Sequence, residues 1–142
     1  MTTKELELIL QETYDIHEFI SLYESELKVE PFYEFALNKI SEAQLKLSEV
    51  LIKSHISKST GYKIMKGERM PSRDIILRLS IGIGLNVTDT NRILKLSNKS
   101  PLDIMNPRDN VIMFALNKKY DLIETEKLID DLKLKSLDGK LE

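Results

Sequence analysis

Apolar residues recur three and four positions apart along most of the chain, and this spacing predicts helices rather than strands. Leu6, Ile9 and Leu10 mark a first helix over 3–12. Ile16, Phe19, Ile20, Tyr23 and Leu27 mark a second over 15–27, with Asp15 as N-cap and Glu18 completing a capping box before Pro31 ends the run. Phe32, Phe35, Ala36 and Leu37 open a third helix. Ser41 with Gln44 could cap the next one, or the break could fall later, near 43–45. Leu47, Val50 and Leu51 then face inward on a helix over 46–54.

Further along, Ile76, Leu77 and Leu79 form the apolar side of a helix over 73–83, with Gly84 just past its end and Leu85 packing after it. Thr88 is the expected cap of a helix reaching Ser97 that buries Ile93 and Leu94. After a loop over 98–106, Pro107 sits at the first position of a helix reaching Lys118. A last helix covers 123–132, and the tail after Ser136 is expected to fray. The fold class is therefore all-α.

Between these helices lies a stretch of different character, LKLSEVLIKSHISKSTGYKIMKGERMPSRD, from Leu45 to Asp74. It reads as a helix, a tight turn at His55-Ile56-Ser57, a short helix over 58–66 capped by Ser57, and a basic loop ending at Pro71. Lys58, Ser59, Tyr62 and Lys63 share one face of that short helix, with Thr60 directed to the core and Ile64 elsewhere. Such an order suits a helix-turn-helix whose second helix enters the DNA major groove. Gly61 costs about 1 kcal/mol of helix propensity relative to alanine. Its presence fits close approach by the preceding helix or by DNA, or simple tolerance.

Charge sharpens this reading. The formal net charge is −2. Residues 1–45 hold three Lys/Arg against ten Asp/Glu, for −7; residues 46–73 hold seven against two, for +5; residues 74–142 hold eleven of each. The net positive charge is confined to the helix-turn-helix stretch, where it can hold phosphates or merely be a solvated face. The acidic first helices are expected to cover core or meet a basic protein partner, and not to touch DNA.

KSHISKSTGYKIMKGERMPS resembles the lambda-repressor/Cro-like helix-turn-helix family, the XRE family. Ile56-Ser57, Ser59-Thr60, Gly67, Arg69 and Pro71-Ser72 fall in its register without a gap, and the resemblance covers about residues 32–97. It implies a lambda-repressor-like bundle, here with N-terminal helices and an additional C-terminal helical hairpin. It favours the helix break near 43–45. It also implies base contacts from Lys58, Ser59, Tyr62 and Lys63, and phosphate contacts from Lys66, Arg69 and Arg73. Three positions depart from the family pattern. His55 stands where glycine is usual, so it must adopt a left-handed conformation or shift the turn; Gly61 stands where an aliphatic residue is common, and Met65 where glutamate is.

The chain divides on this reading into an acidic arm over 1–30, a DNA-binding domain over 31–102 and a hairpin extension over 103–142. Residues 73–102 and 108–137 also align at an offset of 35, with Arg73-Asp74 falling on Arg108-Asp109 and Leu102 on Leu137. That period fits stacked αα-hairpins, although two amphipathic hairpins of equal length would align by periodicity alone. In the second copy Met105, Met113, Phe114 and Tyr120 are candidates for an exposed apolar patch, with core packing the expected role of Phe114.

Catalytic chemistry is missing from the sequence. There is no cysteine, and the two histidines, His17 and His55, lack a second ligand at metal spacing. No phosphate-binding glycine loop or nucleophile motif occurs, so neither an enzyme nor a cofactor is expected. The N-terminus has no signal-peptide pattern, which together with the missing cysteine points to a soluble cytoplasmic protein without a membrane span. The leading expectation is a transcriptional regulator that binds double-stranded DNA as a homodimer. The rival is a non-catalytic helical interaction module, an antitoxin or adaptor, that keeps the fold without binding DNA. RNA binding is a weaker third reading, because the basic stretch offers one tyrosine and no stacking platform.

Overall fold

The computed structural model describes residues 1–27 and 30–138. Its helices are α1 (Thr3–Gln11), α2 (Ile16–Leu22), α3 (Glu24–Leu27), α4 (Phe32–Glu42), α5 (Leu47–Lys53), α6 (Lys58–Met65), α7 (Arg73–Ile83), α8 (Val87–Leu96), α9 (Pro107–Lys118) and α10 (Leu122–Asp131). No strand occurs among the described residues, so the protein is all-α. None of these helices is long and apolar enough to cross a membrane. The chain separates into two compact units, Met1–Glu30 and the part from Pro31 onward.

In the first unit Thr2 caps α1 and Asp15 caps α2, Asp15 Oδ1 accepting from His17 N at 3.0 Å. The single helix expected over 15–27 is broken at Tyr23, whose backbone leaves helical geometry (φ −113°, ψ 21°) while its ring packs on Phe19 at 5.1 Å.

The second unit is organised around α7. Every residue from Ile75 to Ile83 is buried, not only the three expected from a one-sided apolar stripe. A helix that is buried all round must be surrounded, and α7 packs against α5, α8 and α10. Its contact with α5 is close because Gly82 has no side chain: a Cβ there would fall onto Ser54 Oγ and lie 3.1 Å from Val50 O. The buried hydroxyls in this core are satisfied within their own helices, Ser54 Oγ by Val50 O and Ser80 Oγ by Ile76 O. Helices α9 and α10 belong to the same core, to which they contribute Val111, Ile112, Leu116, Leu122 and Ile129. The α9–α10 hairpin therefore shares one core with the helices before it.

Local signals account for most boundaries. α4 ends at Ala43 and Gln44 turns left-handed (φ 58°), so the break falls near 43–45 and Ser41 does not start a helix. Asn86, rather than Thr88, caps α8, its Oδ1 accepting from Asp89 N at 2.7 Å. Thr88 lies inside the first turn. Asp121 and Glu124 form a reciprocal capping box, which starts α10 one residue earlier than expected.

The offset of 35 holds in three dimensions, in finer detail than periodicity would produce. Gly84 and Lys119 are both left-handed, as are Asn98 and Lys133. Leu102 N donates to Asn91 Oδ1, and Leu137 N donates to Glu126 Oε1, 35 residues on. Arg73 donates from Nε to Ser100 O and from Nη2 to Pro101 O; Arg108 does the same to Lys135 O and Ser136 O. Hydrogen bonding to Asp74 holds the Arg108 guanidinium above its ordinary pKa, against the opposing pull of burial.

The two copies are not stacked by translation. Arg73 pairs with Asp109 (3.1 and 2.9 Å) while Arg108 pairs with Asp74 (2.8 and 2.9 Å). Helix α8 packs on α9 as α10 packs on α7. Reciprocal exchange is the mark of an isologous, two-fold pairing, which closes on itself, whereas a translational array leaves a face for the next copy. The αα-hairpins that the period of 35 suggested are thus a pair joined by reciprocal contacts, not by repeated translation.

Two further expectations change. Phe114 is not core: it is 46% exposed, set edge-on to Tyr120 at 5.9 Å, with Lys118 Nζ 5.8 Å from its ring. Its counterpart Leu79 is buried on α7, which also carries α5. The tail does not fray at once after Ser136, because Leu137 is buried and Ser136 Oγ donates to Glu126. Residues 139–142 lie outside the described residues.

Candidate nucleic-acid interface

Helix α6 begins where Ser57, in extended geometry, turns its hydroxyl to accept from Thr60 N at 3.3 Å. The turn before it contains His55 at φ 55°, so the histidine takes the left-handed conformation that glycine would adopt freely. Ile56 behind it is buried.

Thr60, Gly61, Ile64 and Met65 form the inner side of α6. Gly61 faces Leu51 so closely that a Cβ would overlap the Leu51 side chain, with Cγ at 3.0 Å. Close approach by α5 accounts for the glycine, without invoking DNA. Gly61→Ala is therefore expected to destabilise the protein by about 1–3 kcal/mol through overpacking, despite the roughly 1 kcal/mol gained in helix propensity. A higher midpoint in urea unfolding would refute this packing account.

The outer side carries Lys58, Ser59, Tyr62, Lys63 and Lys66, all exposed. Positions i, i+1, i+4, i+5 and i+8 form one stripe, about 12 Å long at 1.5 Å per residue. That length is comparable with the width of a B-DNA major groove, about 12 Å. Lysines and hydroxyls on such a stripe can donate to phosphate oxygens and to base acceptors.

Beyond α6 the chain turns at Gly67 (φ +76°), which lies against the ring of Tyr33 on α4, the nearest approach of a Cβ being 3.0 Å. Arg69 is exposed and leans back on α6, its Nη1 donating to Thr60 Oγ1 at 3.4 Å. Pro71 is buried and Ser72 caps α7 through Ile75 N. The structure thus gathers Lys58, Ser59, Tyr62, Lys63, Lys66 and Arg69 on or beside one helix.

Arg73 does not join them. Nε, Nη1 and Nη2 all donate within the protein, to Ser100 O, Pro101 O and both carboxylate oxygens of Asp109. A phosphate contact would have to break a bidentate pair with a carboxylate only 4% exposed. Arg73 is accordingly removed from the expected phosphate set.

Residues that the sequence reading passed over support the site from behind. Arg78 is fully buried, and its Nη1 donates to His55 O at 2.9 Å and faces Asp138 Oδ1 at 3.4 Å. Burial pushes the Arg78 pKa down from its ordinary value, opposed by Asp138 and more distant carboxylates. His55 Nδ1 meets Asp138 Oδ2 at 2.8 Å, and since a carboxylate only accepts, the imidazole is the donor. The visible signal for Arg78 was a lone arginine inside the apolar run ILRLSIGI. No cluster of His, Cys, Asp or Glu suited to a metal occurs among the described residues.

Comparison with family models, with curated proteins and with solved structures finds no match to this chain.

Proposed function

We propose that this protein is a sequence-specific DNA-binding transcriptional regulator of lambda-repressor/Cro-like architecture, acting in the cytoplasm and without catalytic activity. Helix α6 enters the major groove, Lys58, Ser59, Tyr62 and Lys63 meet base edges, and Lys66 and Arg69 hold phosphates. The observation that carries this reading is the exposed Lys58–Ser59–Tyr62–Lys63–Lys66 stripe on a helix fixed by its cap and by buried contacts on its other side. One short helix reads too few base pairs for useful selectivity, so a homodimer on a two-fold site follows.

Selection of random duplex DNA with the purified protein is the direct test. Enrichment of a palindromic sequence is expected, with affinity falling steeply as salt rises. Lys66→Ala should weaken binding to all sequences alike and lower the salt slope by about one. Recovery of random sequence with no enrichment would defeat the reading.

A second reading, a non-catalytic interaction module such as an antitoxin or adaptor, draws on the first unit. Residues 1–30 hold two lysines against eight carboxylates, and Leu8, Leu10, Ile16, Ile20 and Leu22 are exposed there. Apolar side chains among carboxylates suit a basic protein partner rather than DNA. A complex with one protein, free of DNA and unaffected by Lys63→Ala, would favour this alternative.

A further inference from the structure

The internal repeat supplies its own control, because each interaction in one hairpin can be compared with its counterpart 35 residues away. Most correspond. The correspondence fails after the two equivalent leucines, Leu102 and Leu137. Asp103 stays within the repeat: its N–H donates to Asp109 Oδ2 and its Oδ1 accepts from Met105 N. Its counterpart Asp138 turns away, and its carboxylate reaches His55 and Arg78. Arg78 is itself a departure, since its counterpart is Met113. Arg78 also donates to the His55 carbonyl, so both deviations converge on the left-handed residue of the turn before α6.

We propose that Asp138 is a positioning residue for the α6 interface: the end of the second hairpin clasps the turn from which that helix starts. This rests on the DNA-binding reading. The clasp is held from behind by Leu137, buried in the core, by Glu126, which accepts from Leu137 N at 2.7 Å, and by Arg108, which holds the carbonyls of Lys135 and Ser136. Asp138 Oδ2 then accepts from the His55 ring while Oδ1 faces the guanidinium that grips the His55 backbone. The α9–α10 hairpin thereby controls the entry angle of α6 without touching DNA.

The test is a double-mutant cycle in the full chain using Asp138→Ala and His55→Gly. Glycine relieves the positive φ at position 55, so on backbone grounds alone His55→Gly should fold at least as well as the parent. Asp138→Ala is expected to weaken binding to the selected DNA about tenfold and His55→Gly somewhat less, since it leaves the contact of Asp138 with Arg78, and the double variant should lose no more than Asp138→Ala alone. Amide hydrogen exchange over 54–61 should quicken in each, while α9 and α10 stay protected. Additive losses, or DNA binding and exchange both unchanged in Asp138→Ala, would overturn the proposal. If the parent protein binds no DNA but Asp138→Ala still quickens exchange over 54–61, the clasp stands and the DNA-binding reading fails.

Discussion

Asp109→Ala is expected to lower the unfolding free energy by about 3 kcal/mol, the low end of the cost of stranding one partner of a buried ion pair, because the Arg73 left behind is 24% exposed. Asp109 is 3% exposed and receives both terminal nitrogens of Arg73 together with the Asp103 N–H. Removing its carboxylate takes the anion from Arg73, which keeps only the Ser100 and Pro101 carbonyls, and takes the acceptor from the Asp103 amide. The reciprocal change, Asp74→Ala, should cost less, about 1–2 kcal/mol, because Asp74 lies nearer solvent than Asp109 and water can take the place of its carboxylate. The Asp74 side chain is 27% exposed against 4% for Asp109, while the arginines left behind are similar, Arg108 at 17% and Arg73 at 24%. Urea unfolding of both variants checks the order. Equal and small losses would show that the crosswise pairs decorate the seam without holding it.

Lys63→Glu should weaken binding to the selected DNA about 100-fold or more in 0.1 M salt while leaving stability within about 0.5 kcal/mol. Lys63 is exposed on α6, so folding does not depend on it. If α6 lies in the major groove as proposed, the substitution would remove a donor at a base edge and put a carboxylate among phosphates. A neutral Lys63→Ala should lose less and should relax selectivity at one position of the site, unlike Lys66→Ala, which weakens binding uniformly. Equilibrium titrations at several salt concentrations separate these effects. A Lys63→Glu protein that melts as the parent does and still binds DNA as tightly would remove α6 from the interface.

The placement of α6 was legible early because it depends on short-range chemistry. Ser57 as cap, Thr60 inward, and Lys58, Tyr62 and Lys63 outward all follow from a period of 3.6 and one hydroxyl. Gly84 past α7 and Pro107 at the start of α9 were legible for the same reason. Thr88 misled because Asn86, two residues earlier, is an equally good cap and lies closer to the left-handed Gly84 that ends α7.

Arg73 could not be assigned correctly from local order. An arginine just after a basic loop has the composition of a phosphate contact, and only the partner 36 residues away, Asp109, removes it from that role. The repeat is the intermediate case. Its register was visible as Arg-Asp falling on Arg-Asp, but a linear offset carries no symmetry operator. Translation and two-fold exchange produce the same alignment and differ only in which aspartate each arginine meets.

The sequence by itself determined the all-α class, most helix starts and stops, the confinement of positive charge to residues 46–73, and the outward face of α6. Each of these depends on residues within one or two helical turns of each other, or on composition. The tertiary structure alone decided that α7 is buried all round, that the hairpins close as a reciprocal pair, that Arg73 is internal, and that Asp138 reaches the turn before α6. Those outcomes depend on which distant groups meet once the core has excluded water, where a buried charge must find a partner or the fold loses several kcal/mol.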